Sequence, residues 1–320
     1  MTRVLVTGAG GYLGGRLVDA LSAAPDQRVR TLVRRHQGKT SRADEQVAAD
    51  LVLAPARALE EACAGVDAVV HLAAPNEVLC AADPDRALCD TVVGARRIAE
   101  AAAASGVPRF LYVSTVHVYG AAMGEGVTVA EDLVPAPRAM YGISRLASEH
   151  VVAAATVAGM DLVVFRLTNL IGAPAEPTVG RWTLLVNDLC RQAVVSGVLE
   201  LRSHGMHWRD FVTMADTCRV IEAAFDPAIV PTGTYNVGSG EPMTGRQVAA
   251  LVQDSAQELT GRRPPLRAPN PPPDPPKPYY VSVERLARLG LQARNTARSA
   301  IDETLRFCLE HRSRLAAADD

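Results

Sequence analysis

Val4-Leu5-Val6-Thr7-Gly8-Ala9-Gly10-Gly11-Tyr12-Leu13-Gly14 stands almost at the start of the chain. Its apolar opening predicts a short strand, and Tyr12–Ala24 beyond it has helical spacing. A strand that runs through glycines into a helix brings backbone N–H groups and the positive end of the helix dipole against a pyrophosphate. A Cβ at the contact points would hold the phosphate too far away. The spacing Gly8-x-x-Gly11-x-x-Gly14, with Gly10 also present, makes Gly8, Gly10, Gly11, Tyr12, Leu13 and Gly14 the candidate contacts. A glycine motif alone is a weak signal. Set at residue eight, between an apolar strand and a helix, it points to nucleotide binding.

The pattern continues outward. Val29–Val33, Val66–Leu72 and Phe110–Ser114 are strand candidates, separated by helical stretches at Ala56–Ala64 and Val92–Ser105. Short apolar strands alternating with helices predict an α/β fold, with a parallel sheet covered on both faces. A helix is expected from Met140 through Ala155, followed by a strand at Asp161–Leu167. After Asn169 the pattern changes. Gly172-Ala173-Pro174 breaks the chain, and the stretch to His207 reads as irregular with a helix near Trp182–Ser196. The strand Gly233–Val237, a helix near Thr244–Thr260 and a last helix at Thr296–His311 follow. The proline-dense Pro264–Pro278 reads as an extended connection without ladder or helix bonding. It is either a surface linker or a wall of a cleft.

The second strand ends Leu32-Val33-Arg34-Arg35, with no Asp or Glu near that end. An acidic residue there would accept from the ribose 2′-hydroxyl of NAD, whereas an arginine can hold a 2′-phosphate. Arg34 and Arg35 therefore favour NADP, with NAD as the alternative.

Composition excludes other classes. Of 320 residues, 48% are hydrophobic and 21% charged, too apolar for a disordered chain. A formal net charge of -2 provides no basic surface for nucleic acid. The central apolar run Val151–Met160 falls far short of the ~20 residues of a membrane crossing. Six scattered cysteines without a C-x-x-C pair read as thiols in a reducing compartment. His204 and His207 form an H-x-x-H, but no third ligand follows at metal-site spacing, so no metal is expected. A cytoplasmic globular protein is the expectation.

Several stretches in order now carry a resemblance: Thr7–Gly14, Asp50-Leu51, His71-Leu72-Ala73-Ala74, Val113-Ser114-Thr115, Val118-Tyr119-Gly120, Tyr141-x-x-x-Arg145, Arg166-x-x-Asn169-x-x-Gly172, Arg209-Asp210-Phe211 and Arg285–Gly290. Over nearly its whole length the chain resembles the extended short-chain dehydrogenase/reductase family of NAD(P)-dependent nucleotide-sugar epimerases, dehydratases and ketoreductases. The resemblance implies that Asp50 and Leu51 flank the adenine and that Ala73 and Ala74 line the ribose and nicotinamide. Thr115 matches the residue that hydrogen-bonds the reacting oxygen, and Tyr141 matches the catalytic tyrosine. Such chemistry moves a hydride at a carbon and a proton at its oxygen. A phenol whose pKa is brought down from about 10 can serve that proton near neutral pH. Asn169 and Arg209 resemble positions that touch a substrate diphosphate, which a guanidinium suits by bonding two oxygens at once.

Three departures matter. Arg145 stands where the family has lysine, on the same helical face as Tyr141, with its charge kept and its capacity to release a proton lost. Thr91 replaces an asparagine. Val116 and His117 follow Thr115 where 4,6-dehydratases carry an Asp-Glu pair, which argues against that reaction; His117 could itself act as acid or base, or sit at the rim.

The resulting expectation is a Rossmann-type doubly wound parallel sheet over residues 1–168, with segments returning at about 211–240. A smaller C-terminal substrate-binding part would be built from 169–210 and 241–320. The expected activity is NAD(P)-dependent oxidoreduction or epimerisation of a nucleotide sugar or similar hydroxyl/ketone substrate, with ketoreduction slightly favoured. The alternative is a nucleotide-binding regulator or scaffold with little turnover, motivated by Arg145. Ala-rich stretches at Ile98–Ala104 and Leu146–Ala158 match the helices through which the family pairs, so a homodimer is expected.

Overall fold

A computed structural model describes residues 1–34, 42–156 and 159–317. Its centre is a seven-stranded sheet in the spatial order Gly233–Val237, Asp161–Leu167, Arg109–Thr115, Ala68–His71, Thr2–Thr7, Gln27–Val33, Glu45–Ala48. Every pairing is parallel. The first strand has the second on one side and Ala68–His71 on the other, so the strand order reverses there. The carboxyl ends on either side of such a reversal leave the crevice in which an open α/β sheet binds ligands. Thr7 lies opposite both Leu32 and His71 in register, which brings these three strand ends together.

Two apolar layers cover the sheet. One face packs Val4, Val6, Leu111, Val163 and Phe165 against the helices Tyr12–Ala23 and Met214–Ala223. On the other face, Leu5, Val69, Phe110 and Tyr112 pack against Ala56–Cys63, Gly94–Ala104 and Met140–Ala155. A third cluster joins the helices Leu185–Val195, Gly245–Thr260 and Ala297–Glu310. The last two begin where side chains satisfy the first-turn N–H groups: Thr244 and Gln247 cap each other reciprocally, and Thr296 accepts from Ser299 N.

The structure departs from the expected elements in four places. Glu45–Ala48 forms the outermost strand, although only one of its four residues is β-branched. The helix expected from Val92 is preceded by a π-helical turn at Cys89–Val93, and its α-helical part begins at Gly94. The segment 169–207 is less irregular than expected, because Asn169–Ile171 pairs in parallel with Phe211–Thr213. Within the proline-dense segment, Leu266–Arg267 pairs in parallel with Leu199–Glu200. Prolines flank these two residues without occupying them, so Leu199 N bonds Pro265 O and Leu201 N bonds Arg267 O. Among the described residues no helix is long and apolar enough to cross a membrane.

Candidate active site

The glycine turn is shaped by the chain itself. Gly8 has φ of +72°, and a Cβ there would lie 2.7 Å from the Ala73 nitrogen. A Cβ on Gly14 would lie 2.1 Å from the Gly8 carbonyl oxygen, and one on Gly11 at 3.1 Å from the same atom. Gly11 caps the helix Tyr12–Ala23 without any side-chain hydrogen bond, so its first-turn N–H groups are left for a ligand. Gly8, Gly10, Gly11, Tyr12, Leu13 and Gly14 all line one cleft of about 1210 Å³. Leu13 packs its side chain into the core. The Tyr12 hydroxyl donates to Gly172 O at 2.6 Å and accepts from Asn187 Nδ2 at 2.9 Å. Burial pushes its phenol well above the usual range. The cradle thus fits a pyrophosphate, while the Tyr12 ring ties it to the chain beyond residue 169.

Beside the turn, a second pocket of about 810 Å³ gathers Arg34, Asp50, Leu51, Ala73 and Ala74. Asp50 accepts from the backbone N–H groups of Val52 and Leu53 at 2.8 and 3.0 Å. Burial works against its charge, but those two N–H groups and the Arg34 guanidinium hold its carboxyl below the usual range. Arg97 reaches the carbonyls of Leu51, Val52 and Ala54 from the helix Gly94–Ala104 and fixes this loop. Arg34 lies 3.5 Å from Asp50 and 3.4 Å from Asp90. Arg35 lies outside the described residues. The Thr7 hydroxyl accepts from the N–H groups of Leu72 and Ala73 and lies 2.7 Å from His71 Nδ1. Burial, aided by the Arg145 charge, lowers His71 to about 3, so its imidazole is neutral.

Thr115, His117, Tyr141 and Arg145 face the same cleft as the glycines. Thr115 ends its strand and caps the following turn by accepting from His117 N. Tyr141 opens the helix Met140–Ala155. Gly142 lets that helix approach, since a Cβ there would lie 2.6 Å from the His117 carbonyl oxygen. One turn on, Arg145 points inward and is 9% exposed. Its guanidinium carbon sits 5.3 Å from the Tyr141 ring centroid, and Nη1 donates to Val113 O at 3.2 Å. Its buried Nε has no partner. Burial opposes its charge; the phenols of Tyr141 and Tyr112 more than offset that and raise its pKa. Among the described residues no carboxylate pairs with it. His117 meets the Tyr141 ring edge-on at 5.9 Å between centroids. Although part of its surface is open, the crowding walls of the cleft lower its imidazole pKa, against a smaller opposing effect of Glu77.

Beneath this wall lies a polar network that sequence reading had not assembled. Glu149, on the same helix as Tyr141 and Arg145, pairs with buried Arg166 at 2.7 Å and accepts from Ser114. Arg166 also donates to the Tyr119 hydroxyl at 2.9 Å, and that hydroxyl donates to Asn236 at 2.8 Å. The Ser-Thr strand end and the tyrosine helix are therefore locked together. Thr91 contributes its carbonyl to Ser148, while its own hydroxyl is buried and unpartnered.

Opposite stand Asn169 and Arg209. Asn169 spends its amide on Asp210 O at 2.8 Å. Asp210 accepts from Ser239 N and Oγ, and burial raises its carboxyl. Arg138, Arg181 and Arg202 join Arg209 on the cleft wall, three guanidiniums that sequence reading missed. Arg181 is held by Glu77 at 3.1 Å across 104 residues, a pairing with no local signal. His204 and His207 stack loosely at 4.8 Å, with His204 Nδ1 accepting from Met206 N. No residue of Pro264–Pro278 lines either of these two pockets.

Fold and cleft together define a nucleotide-binding α/β protein with a tyrosine–cation pair beside its glycine turn. Residues 4–238 match the model of the NAD dependent epimerase/dehydratase family, and the chain belongs to that family. It is 29% identical over 283 residues to a dTDP-glucose 4,6-dehydratase of Streptomyces griseus, covering 80% of this chain and 79% of that one. It is 31% identical over 277 residues to sterol demethylase protein B of Methylococcus capsulatus, covering 83% and 77%. MoeE5, solved in complex with UDP-glucose and NAD, superposes with a TM-score of 0.79 at 25% identity, over 97% of this chain and 99% of that one. RMD from Pseudomonas aeruginosa, solved with NADPH, shares the fold with a TM-score of 0.78 at 23% identity, over 97% and 100%.

Proposed function

We propose that this chain is an NAD(P)-dependent oxidoreductase or epimerase acting on a nucleotide sugar or a similar hydroxyl/ketone substrate, with ketoreduction slightly favoured and NADP preferred over NAD. The observation that carries the reading is Arg145: a buried cation without a carboxylate, set against a phenol at the cleft that holds the glycine cradle. A charge buried without a partner is costly unless something completes it. The oxygens of a bound cofactor and a developing tyrosinate are the groups in reach.

In this reading the glycine turn binds the pyrophosphate, and Asp50 and Leu51 border the adenine. The nicotinamide supplies the hydride. Tyr141 gives or takes the proton at the substrate oxygen, Thr115 hydrogen-bonds that oxygen, and Arg145 stabilises the phenolate and orients the ribose. His117 stands at the rim, edge-on to the phenol. Arg209, Arg181, Arg202 and Arg138 supply the donors that a nucleoside diphosphate requires. One relative's name favours dehydration. Here Val116 and His117 occupy the positions that elimination would fill with an acid and a base, so hydride transfer without loss of water is preferred. A homodimer through the Ala-rich helices Gly94–Ala104 and Met140–Ala155 belongs to the same proposal, although residues 157 and 158 of the expected contact lie outside the described residues.

The test is single-turnover hydride transfer with NADPH and a panel of keto-sugar nucleotides. Tyr141→Phe should lower the rate by about 10²- to 10⁴-fold, the usual worth of a positioned acid or base. It should leave dinucleotide binding within a few-fold. Arg145→Lys discriminates the second reading. A loss of activity supports an arginine-adapted enzyme, and a large gain over a near-inactive parent supports a retired, binding-only protein.

A further inference from the structure

The pocket beside the glycine turn contains a cation that sequence reading did not single out. Arg86 lies in the short helix Pro84–Leu88, and its backbone N–H is anchored by the Asp83 side chain at 3.0 Å. From there its guanidinium enters the pocket that Arg34 borders from the end of the second strand. The two share one carboxylate, although Arg34 Nε also lies 3.5 Å from Asp50 Oδ2. Arg86 Nε and Arg34 Nη2 each lie 3.4 Å from the same oxygen, Oδ2 of Asp90. Asp90 is itself mostly covered, with a side chain 20% exposed, whereas the two arginines stay largely open at 63% and 59%. Asp50, the other acid here, serves two backbone N–H groups through Oδ1 and faces Arg34 through Oδ2. Two guanidiniums thus converge on one anionic oxygen at the edge of the adenosine pocket, where a 2′-phosphate would present three.

We propose that Arg34 and Arg86 form a two-sided site for the 2′-phosphate of NADP, and that Asp90 is its built-in competitor. The inference rests on the dinucleotide reading of the cleft, and it adds the residue that sets cofactor preference. When the ribose is unphosphorylated, Asp90 is the counter-ion that Arg34 and Arg86 share, with Asp50 beside Arg34. A 2′-phosphate dianion takes over their donors by bidentate, charge-assisted bonds, with repulsion from Asp90 as the cost. The strength of the preference is therefore set by Asp90 as much as by the arginines.

The experiment measures binding of adenosine 2′,5′-bisphosphate and of AMP to the intact chain by calorimetry, without substrate or turnover. The parent should bind the bisphosphate more tightly than AMP. Arg86→Ala should weaken the bisphosphate by about tenfold and leave AMP within about twofold. Asp90→Asn, which keeps the shape and removes the charge, should tighten the bisphosphate several-fold and leave AMP unchanged. Equal binding of the two probes by the parent would overturn the site, as would an Arg86→Ala variant that changes both equally or neither. In those cases the dinucleotide reading stands. Failure of both probes to bind the parent sinks the two together.

Discussion

The two walls of the cleft are made of different material. On the side of the glycine turn, the surface comes from Thr7–Gly14 and His71–Ala74, whose main chains lie so close that added Cβ atoms would collide with backbone. On the opposite side, the donors are the guanidiniums of Arg138, Arg181, Arg202 and Arg209, from separated stretches of chain. A wall of backbone fixes residue identity through covalent geometry and tolerates almost no exchange. A wall of long side chains can be re-pointed by changing a single partner, such as the Glu77 that holds Arg181. Within one family, chemistry can stay constant on the first wall while specificity drifts on the second.

The largest effect expected from breaking this contrast is at Gly14. Gly14→Ala forces a methyl to 2.1 Å from a backbone oxygen that no rotamer can move. The cost should exceed the ~1–3 kcal/mol of ordinary overpacking. Denaturant unfolding and dinucleotide titration should both show the loss, and an unchanged unfolding midpoint would show that the turn yields after all. A smaller effect tests the neutral imidazole behind the cradle. His71 is lowered to about 3 when folded, against about 6.5 unfolded, so between those values the unfolded chain binds the extra proton. His71 should therefore cost up to ~1.4 kcal/mol of stability for each pH unit of acidification in that window, and nothing above it. His71→Asn should flatten that slope. The smallest effect belongs to the other wall. Arg209→Ala should raise KM for a nucleotide-sugar substrate about tenfold while leaving the melting temperature in place. A fall in melting temperature there would mean that the side-chain wall also supports the fold.

The same contrast explains what was legible in the sequence. The glycine turn and most of the strands that frame it speak through local spacing; Tyr141 and Arg145 were singled out by the resemblance, and the i,i+4 relation only set them on one helical face. The inward pose of Arg145 follows from that helical face. Glu45–Ala48 escaped because its register comes from pairing with Arg30–Val33, not from its own composition. Ser114, Glu149 and Arg166 were each visible, but their meeting depends on how a helix lies across two strands. Leu266–Arg267 was masked by its proline neighbours, whose constraint stops at the residues they occupy. Arg181 found Glu77 across 104 positions, and nothing local announces such a partner.

The Tyr12 phenol has a bearing on any attempt to retarget this protein. Transplanting residues 169–209 from a relative is a direct way to exchange much of the arginine-bearing wall of the cleft. That exchange would also replace the Asn187 amide and reset the main chain that presents the Gly172 carbonyl, the two groups that grip the Tyr12 hydroxyl. A graft that lost these contacts would strand a buried hydroxyl at the root of the helix Tyr12–Ala23, so a new wall would arrive with a loosened glycine turn.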